Sequence, residues 1–356
     1  MTYRVIQWAT GGVGRAAIEG VLNHPDLELV GCWVHSDAKS GRDVGTLIGG
    51  DPIGVLATSN IEELLSVEAD CVIYSPLFAD PYVMDRILES GKNIVTPLGW
   101  FFPQKAERDR VDTVCRRAGT TLHGTGIHPG GITERFPLML SALVGSVTRV
   151  RAEEFSDIRT YGAPDVIRDW MLFGTEPEKA RTSIMADALG AGFRQSVWMV
   201  AHELDFDIDP ELRTTHDMAV ATAPIESPIG AIAPGLVAAQ RFRWEGIIDG
   251  EPVITAAVNW LMGEENLDPP WRFGEKGERF EVEVTGDPGV LVTFKKLHPE
   301  SIEEGLRRNP GIVTTAMHLV NAVPYVCEAE PGLITYLDLP LVAGRAAPSM
   351  HRTRRP

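Results

Sequence analysis

Residues 9–17, with the sequence ATGGVGRAA, constrain the fold of this chain more than any other segment. They lie between a short apolar run at residues 4–9 and a helical pattern at residues 15–23. Matched to the pattern G-x-G-x-x-G/A, Ala9 takes the first glycine place, Gly11 the second and Gly14 the third. A turn of this kind between a strand and a helix is the context in which the pattern binds a dinucleotide.

The glycines of this turn have distinct tasks in such a fold. Gly11 lets the backbone approach a pyrophosphate closely, and Gly14 lets the helix pack tightly on the strand. The N–H groups and the positive dipole end at the start of the helix then hold the phosphates. The alternative is a tight turn that binds no ligand. We predict a cofactor-binding turn formed by Thr10, Gly11, Gly12, Val13 and Gly14.

Strand-like and helix-like segments alternate over about the first third of the chain. The predicted strands are residues 4–9, 27–34, 71–74, 93–95 and 120–123, and the predicted helices are 15–23, 61–65, 81–89 and 104–117. This alternation favours right-handed crossovers and a mostly parallel sheet. The fold class is therefore α/β, with a Rossmann doubly wound parallel sheet in a dinucleotide-binding domain at residues 1–135 and a return segment at about 305–345.

The pattern changes after His128. Residues 148–155 alternate as a half-buried strand does, and helices are predicted at 132–143, 178–202 and 312–322, the last stopping near Pro324. Asp249-Gly250 between two alternating runs predicts a hairpin, and residues 280–285 and 290–295 flank GDPG in the same manner. A second α+β domain with a mainly antiparallel sheet is predicted at residues 145–300. Residues 346–356 are expected to form a disordered basic tail.

Composition excludes several classes of protein. The chain has 33 Lys and Arg against 49 Asp and Glu, a net charge of −16, which repels a nucleic-acid backbone. No apolar run approaches the roughly 18 to 20 residues of a membrane span, and the N-terminus does not resemble a signal peptide. The four cysteines form no CxxC pair, and His202, His216 and His318 have no metal-ligand spacing. We expect a cytoplasmic protein with no metal, no nucleic-acid partner and no membrane partner.

Cofactor choice is expected to depend on residues after the second predicted strand. The segment there reads HSDAKSGR, with Ser36 at the strand tip and Lys39 and Arg42 close behind it. A hydroxyl and two cations suit a 2′-phosphate, so NADP(H) is preferred. Asp37 could instead accept the ribose hydroxyl, which leaves NAD(H) possible, and the two cations could be ordinary solvated charges.

Ligands of open α/β sheets lie beyond the carboxyl ends of the strands. Two predicted strand ends carry Ser75 and Pro76, and Thr96 and Pro97, which we expect to flank the nicotinamide end of the cofactor. The alternative is that these proline-containing loops only connect elements of the fold and contact no ligand.

His128 is the candidate proton donor, because imidazole titrates near neutrality, although a structural histidine is an equal alternative. Glu153 and Glu154 point to opposite faces of their strand, so at most one of them can face a site. A solvated strand edge is the plainer interpretation of both carboxylates. Glu154 is the candidate second catalytic residue.

Trp100 and Tyr161 are candidate substrate contacts, although such aromatics are more often core. Asn321 is a candidate substrate-orienting amide.

Four segments resemble the dihydrodipicolinate-reductase-like oxidoreductases, nearest the branch of 2,4-diaminopentanoate dehydrogenase and the native amine dehydrogenases. They are VIQWATGGVGRAA, VHSDAKSGRDVGTLIG, GTGIHPGG and VNAVPYVCEAEPGL, and together they span most of the chain. The resemblance implies a Rossmann domain with Gly11 and Gly14 on the pyrophosphate. It also implies a second domain for substrate and dimer contacts, and hydride transfer between NAD(P)H and a C=N or C=O carbon.

The chain departs from this branch at one functional segment. The amine dehydrogenases resemble one another in a T-x-E-E-like segment, whose glutamate handles the ammonia proton. Here Leu98 or Gly99 takes that place, and neither side chain can accept a proton. The reductase motif of a His-His pair followed by lysine is also absent.

We therefore expect a homodimeric NAD(P)-dependent oxidoreductase that acts on a small organic substrate in a cleft between its domains. One alternative is an amine dehydrogenase whose acid group is Glu154 or Asp157. Another is a dinucleotide-binding sensor that has lost turnover.

Overall fold

The computed structural model of the protein describes residues 2–350, except for the side chains of Met185, Ala186 and Pro348. Internal contacts divide these residues into two compact units. The first comprises the described parts of Met1–Gly126 and Ile312–Pro356, and the second is Ile127–Gly311. Residues 351–356 of the predicted basic tail lie outside the described residues. None of the helices between residues 2 and 350 is long and apolar enough to cross a membrane.

The first unit alternates strands and helices. Up to Gly124 its strands are β1 (Tyr3–Trp8), β2 (Leu27–Trp33), β3 (Ala57–Thr58), β4 (Cys71–Tyr74), β5 (Asn93–Thr96) and β6 (Thr121–Gly124). Its helices there are α1 (Gly12–Asn23), α2 (Val44–Leu47), α3 (Ile61–Ser66), α4 (Pro81–Glu89) and α5 (Lys105–Ala118).

The second unit contributes the middle of the chain. Its helices are α6 (Phe136–Ser141), α7 (Pro177–Arg181), α8 (Ile184–Glu203) and α9 (Ile302–Arg307). Its strands are β7 (Gly145–Asp157), β8 (Arg213–Ala221), β9 (Val237–Ile248), β10 (Glu251–Leu261), β11 (Leu267–Asp268), β12 (Arg279–Asp287) and β13 (Val290–Phe294). The chain then forms α10 (Pro310–Glu328) and β14 (Gly332–Ile334), which belong mostly or wholly to the first unit.

The sheet of the first unit has seven strands in the order β14-β6-β5-β4-β1-β2-β3, and all of its neighbours are parallel. From β1 the chain proceeds in one direction through β2 and β3, and from β4 in the other direction through β5 and β6. The order therefore reverses between β1 and β4, and ligands of open α/β sheets bind beyond the carboxyl ends of the strands at such a point. The predicted doubly wound Rossmann sheet is confirmed.

Helices α1 and α10 lie side by side against this sheet. A Cβ atom placed on Gly12 would be 3.3 Å from Cδ1 of Ile312, and one placed on Gly20 would be 2.3 Å from Cε of Met317. The two helices therefore run in the same direction, with the start of α10 beside the start of α1. Ile18 and Val320 are buried in the core that they share with the sheet.

The sheet of the second unit has the order β11-β8-β9-β10-β7-β12-β13. Only β7 and β10 pair in parallel among its described neighbours, so the predicted mainly antiparallel sheet is confirmed. The Asp249-Gly250 hairpin is also confirmed, with φ of 52° and 84°, as a turn with two left-handed residues requires. Strand β7 lies inside this sheet, between β10 and β12, so the strand-edge interpretation of Glu153 and Glu154 is wrong.

Three predicted helices have different bounds. Residues 131–135 form a π-helical turn before α6, because Pro137 has no N–H to continue an α-helical ladder. The predicted helix at 178–202 is broken between α7 and α8, where the Thr182 hydroxyl donates to the Glu178 carbonyl at 2.9 Å.

The third difference is that α10 continues past Pro324 to Glu328. A proline inside a helix costs about 3 kcal/mol. Val320, Val323 and Val326 are each at most 1% exposed on this helix, and burying one such side chain contributes about 1.5–3 kcal/mol. Packing of this helix against the sheet therefore outweighs the penalty of the proline.

Candidate active site

The carboxyl ends of the central strands of the first unit form one polar edge. Because β1, β4, β5 and β6 are neighbours, the residues that follow them lie in a row. The Ser75 N–H donates to the Trp8 carbonyl at 3.2 Å, and the Thr125 N–H donates to the Thr96 carbonyl at 2.9 Å. The structure thus brings the ends that carry Ser75 and Thr96 together with the end of β1, where the glycine turn begins.

The glycine turn has the shape that the motif requires. Ala9, in the first glycine place, has a φ of 78°, which is the left-handed conformation that glycine adopts more easily. A Cβ on Gly14 would lie 2.1 Å from the Ala9 carbonyl oxygen, so only glycine lets α1 approach this closely. A Cβ on Gly11 would meet nothing within 4 Å, so the backbone there faces open space.

Helix α1 begins beside this open space. Its N-cap residue is Gly11, which has no side chain that could cap the first turn. The N–H groups of a first turn have no partners within their own helix, and the helix dipole places partial positive charge there. The first turn of α1 can therefore hold an anion.

Lys39 contributes a full positive charge to this turn. It ends a short 3₁₀ helix, Asp37–Lys39, whose N-cap is Ser36, and its Nζ donates to Oγ1 of Thr10 at 3.2 Å. Asp37 accepts a hydrogen bond from Ser59 Oγ at 3.0 Å, and the side chain of Arg42 is exposed. The structure therefore brings Lys39 together with Thr10 and leaves Arg42 on the surface.

The two other predicted strand ends are held by hydrogen bonds within the first unit. Gln7 Nε2 donates to Ser75 Oγ at 2.9 Å, and the Leu98 N–H donates to Thr96 Oγ1 at 3.2 Å. Both hydroxyls are buried, and the prolines that follow them, Pro76 and Pro97, are half-buried. These hydroxyls stabilise the loops that carry them.

The second unit brings His128 and Glu154 together. Nδ1 of His128 lies 2.8 Å from Oε2 of Glu154, and the two side chains are 1% and 14% exposed. The ring of His128 packs edge-on against Phe193 on α8, at 4.9 Å, and against Phe280 on β12, at 5.5 Å between centroids. A histidine and a carboxylate in an apolar setting are a suitable pair for proton transfer.

Tyr161 is the third predicted residue near this pair. Burial raises the pKa of the Tyr161 hydroxyl, and the negative charge of Glu154 raises it further. The phenol therefore stays protonated over the physiological range and lies within electrostatic reach of Glu154.

Ser156 and His298 extend the pair, and the sequence did not single them out. Ser156 Oγ donates to Oε1 of Glu154 at 2.5 Å and lies 2.8 Å from Nε2 of His298. Burial lowers the pKa of His298, so this histidine is held neutral, although the charge of Glu154 acts in the opposite direction. Ser156 follows Glu154 by two positions on a strand, which was a usable signal, whereas His298 had none.

A cavity of about 640 Å³ in the second unit lies near these groups. Its lining includes Asp157, Arg159 and Glu278. Burial raises the pKa of Glu278 to about 7, and the carboxylates of Asp157 and Glu154 add to the effect. This carboxyl group therefore titrates near neutrality.

Two predicted substrate residues belong to the first unit. Trp100 is 7% exposed and packs with Trp8 and Tyr74 in the core of the first unit, which favours the core role of this aromatic. Asn321 lies beside Gly344, about two and a half turns along α10 from Ile312. Since Ile312 lies beside the start of α1, Asn321 is displaced along α10 from the glycine turn, and its role as a substrate-orienting amide stays a prediction.

Glu134 is a buried acidic residue that the sequence did not reveal. It is fully buried, its Oε1 accepts from Ser196 Oγ at 2.5 Å, and burial raises its pKa to about 8. Ser196 Oγ also lies 3.0 Å from Thr133 Oγ1, and the Thr133 hydroxyl accepts from the Gly130 N–H at 2.8 Å. These bonds connect the turn after His128 to α8.

Two family models match this chain. Residues 132–354 match the 2,4-diaminopentanoate dehydrogenase C-terminal domain, and residues 5–96 match the dihydrodipicolinate reductase N-terminus. An amine dehydrogenase of Streptomyces virginiae is 33% identical over 94% of this chain and 96% of its own length. The 2,4-diaminopentanoate dehydrogenase of Acetoanaerobium sticklandii is 22% identical over 95% of this chain and 93% of its own length.

The fold has a solved counterpart. The amine dehydrogenase from Mycobacterium smegmatis superposes with a TM-score of 0.78 at 20% identity, covering 97% of this chain and 98% of that one. At this identity the likeness concerns the fold alone. The chain belongs to the 2,4-diaminopentanoate dehydrogenase family and is an oxidoreductase.

Proposed function

We propose that this protein is an NADP(H)-preferring oxidoreductase that transfers hydride to or from a C=O or C=N carbon of a small organic substrate. The observation that carries the proposal is the contact of Lys39 Nζ with Thr10 Oγ1 at 3.2 Å. It places a cation of the loop after β2, where the 2′ position of the adenosine ribose is recognised, beside the glycine turn. NAD(H) remains a second possible cofactor through Asp37, which accepts from Ser59.

The residues of the first unit fit such a dinucleotide. The backbone of Gly11, Gly12, Val13 and Gly14 would hold the pyrophosphate, since the space beside Gly11 is open. Ser36, Lys39 and Arg42 would hold the 2′-phosphate. The loops that begin at Ser75 and Thr96 would border the nicotinamide, which supplies or accepts the hydride when bound.

His128 is the proposed proton donor of the second unit. Its Nδ1 faces Glu154 at 2.8 Å, so Nε2 is the atom that can give a proton to the carbonyl oxygen or imine nitrogen of the substrate. Glu154 stabilises the charged imidazole and holds its ring in place. The phenol of Tyr161, within electrostatic reach of Glu154, is a proposed substrate contact.

Amine dehydrogenase activity is a specific second candidate. The relative that is 33% identical is named an amine dehydrogenase, and Glu154 is a buried carboxylate that could handle the ammonia proton. Glu154 would then replace the glutamate that is missing at Leu98 and Gly99. The reaction would consume a ketone and ammonia together.

Steady-state oxidation of NADPH with a panel of aldehydes and ketones tests both candidates. Each substrate is measured with and without ammonium, in the wild-type protein and in Glu154→Gln. Turnover without ammonium supports a carbonyl reductase, and turnover that requires ammonium supports an amine dehydrogenase. Absence of NADPH and NADH oxidation with every substrate would contradict the proposal.

A homodimer is proposed from the resemblance. One chain has a mass of 38.9 kDa, so light scattering of the purified protein should give about twice that value. A mass of one chain across the concentrations used in the activity assay would contradict it.

A further inference from the structure

Four side chains of the second unit form one hydrogen-bonded row. His128 Nδ1 lies 2.8 Å from Glu154 Oε2, Ser156 Oγ lies 2.5 Å from Glu154 Oε1, and His298 Nε2 lies 2.8 Å from Ser156 Oγ. Glu154 and Ser156 share one face of β7, because side chains two positions apart on a strand point the same way. His298 enters the row from the segment that follows β13.

Glu154, which accepts from both His128 and Ser156, determines which atoms of these neighbours carry protons. Burial would raise the pKa of Glu154, but its hydrogen bonds and charge interactions with His128, Ser156 and His298 together hold it below the usual range. An ionised carboxylate only accepts hydrogen bonds. His128 must therefore carry a proton on Nδ1, and Ser156 must donate its single hydroxyl proton to Glu154.

The same reasoning determines the state of His298. Because the Ser156 hydroxyl proton points to Glu154, the oxygen of Ser156 can only accept from His298. His298 therefore carries its proton on Nε2. The two remaining ring nitrogens, Nε2 of His128 and Nδ1 of His298, are buried and have no hydrogen-bond partner among the described residues.

We propose that Ser156 and His298 are positioning residues, which hold the Glu154 carboxylate ionised and fixed so that His128 keeps a proton on Nδ1 and presents Nε2 to the substrate. The proposal rests on the proposed role of His128 as proton donor. Neither Ser156 nor His298 need touch the substrate for this role.

The surroundings of the row strengthen its electrostatic effect. Phe280 lies between the two histidines, with its centroid 5.5 Å from that of His128 and 4.7 Å from that of His298. Apolar neighbours lower the local dielectric, in which a hydrogen bond to a charge is stronger than in water. Among the described residues, Tyr161 and Glu278 are further ionisable groups that interact with Glu154.

Three variants separate positioning from general support of the fold. Ser156→Ala removes the donor to Glu154, and His298→Phe removes the donor to Ser156 while keeping a ring. His298→Gln is the rescue variant, because its amide N–H can still donate to Ser156. A residue with only a structural role would change stability in these variants without moving the titration of Glu154.

Carboxyl ¹³C NMR of glutamate-labelled protein reports this titration without any substrate. The Glu154 signal is assigned by its absence in Glu154→Gln. A hydrogen bond to a charged group contributes about 1.5–3 kcal/mol, so Ser156→Ala should move the titration of Glu154 upward by about 1–2 pH units. His298→Phe should move it less in the same direction, and His298→Gln should keep the wild-type value.

The acid limb of kcat/KM is the second measurement, and it should move with the NMR titration. Unchanged Glu154 titration in both Ser156→Ala and His298→Phe would overturn the inference, as would a His298→Gln variant that behaves like His298→Phe. A shifted NMR titration with no effect on the acid limb would support the positioning of Glu154 and contradict its proposed part in turnover. The two measurements thereby distinguish failure of the positioning role of Ser156 and His298 from failure of the proposed function.

Discussion

The Nζ atom of Lys39 lies 3.2 Å from the Oγ1 atom of Thr10, although the two residues are 29 positions apart. The contact connects the loop after β2 to the turn before α1. Thr10 is 7% exposed, so its hydroxyl is a fixed acceptor for the cation. In the proposed complex the same contact holds the cation beside the 2′-phosphate of NADPH.

Lys39→Ala should therefore weaken NADPH binding more than NADH binding. Loss of a charge-assisted hydrogen bond of about 1.5–3 kcal/mol corresponds to a roughly 10- to 100-fold increase in the Kd for NADPH. The Kd for NADH should change by no more than about twofold, because NADH has no 2′-phosphate. Lys105→Ala is the control, since this lysine is 87% exposed and pairs with Asp109. Equal weakening of both cofactors by Lys39→Ala would contradict the NADP(H) preference.

Two glycine substitutions should separate binding from folding. A Cβ on Gly11 meets nothing within 4 Å, so Gly11→Ala should keep the wild-type Tm but block the approach of the pyrophosphate. A Cβ on Gly14 would lie 2.1 Å from the Ala9 oxygen, so Gly14→Ala should reduce the free energy of unfolding by about 1–3 kcal/mol. Thermal unfolding and cofactor titration check the two variants. Normal stability in Gly14→Ala would contradict the tight packing of α1.

The His128→Ala variant should lose turnover but keep cofactor binding. Removing a general acid reduces the rate by about 10²- to 10⁴-fold, whereas the proposed cofactor contacts lie in the first unit. His202→Ala is the matched control, because His202 is an exposed histidine of the second unit. Wild-type kcat in His128→Ala would remove the residue from its proposed role.

Glu134 should make the stability of the protein fall as the pH rises. Burial raises its folded pKa from 4.5 to about 8, so the folded state keeps a proton that the unfolded state loses between these pH values. The free energy of unfolding then decreases by about 1.4 kcal/mol per pH unit in that window, and the contribution is fully present only below pH 4.5.

Glu134→Gln should therefore become more stable relative to the wild type as the pH rises from about 5 to 8, by about 3 to 4 kcal/mol in total. Urea unfolding at several pH values measures this difference. Glu211→Gln, at an exposed position, should show no such trend. A difference between Glu134→Gln and the wild type that does not depend on pH would contradict the buried protonated carboxyl.

Short-range signals predicted much of the fold. Asp249-Gly250 located a hairpin because two left-handed residues favour that turn, and Gly119, with a φ of 71°, marked the end of α5. Strand β14, with three residues, is too short for a period of two to be recognised. The packing that carries α10 past Pro324 is a tertiary effect, so local propensity predicted the wrong end of this helix.

The candidate site was predicted only in part, because its contacts also depend on tertiary structure. His128 and Glu154 are 26 positions apart, and each could be selected by its own chemistry, but their contact depends on the path of β7. His298 is 142 positions from Ser156, so no spacing rule relates them. Burial of Glu134 is equally invisible in the segment GITER, because the pKa of a carboxyl group depends on neighbours that are distant in the sequence.

Titration of the purified wild-type protein and of Gly11→Ala with NADPH and NADH, followed by nicotinamide fluorescence, tests the central claim most directly. The wild-type protein should bind NADPH more tightly than NADH, and Gly11→Ala should bind NADPH at least about tenfold more weakly at an unchanged Tm. If the wild-type protein binds neither cofactor, or if Gly11→Ala binds NADPH as tightly as the wild type, the glycine turn is not the cofactor site.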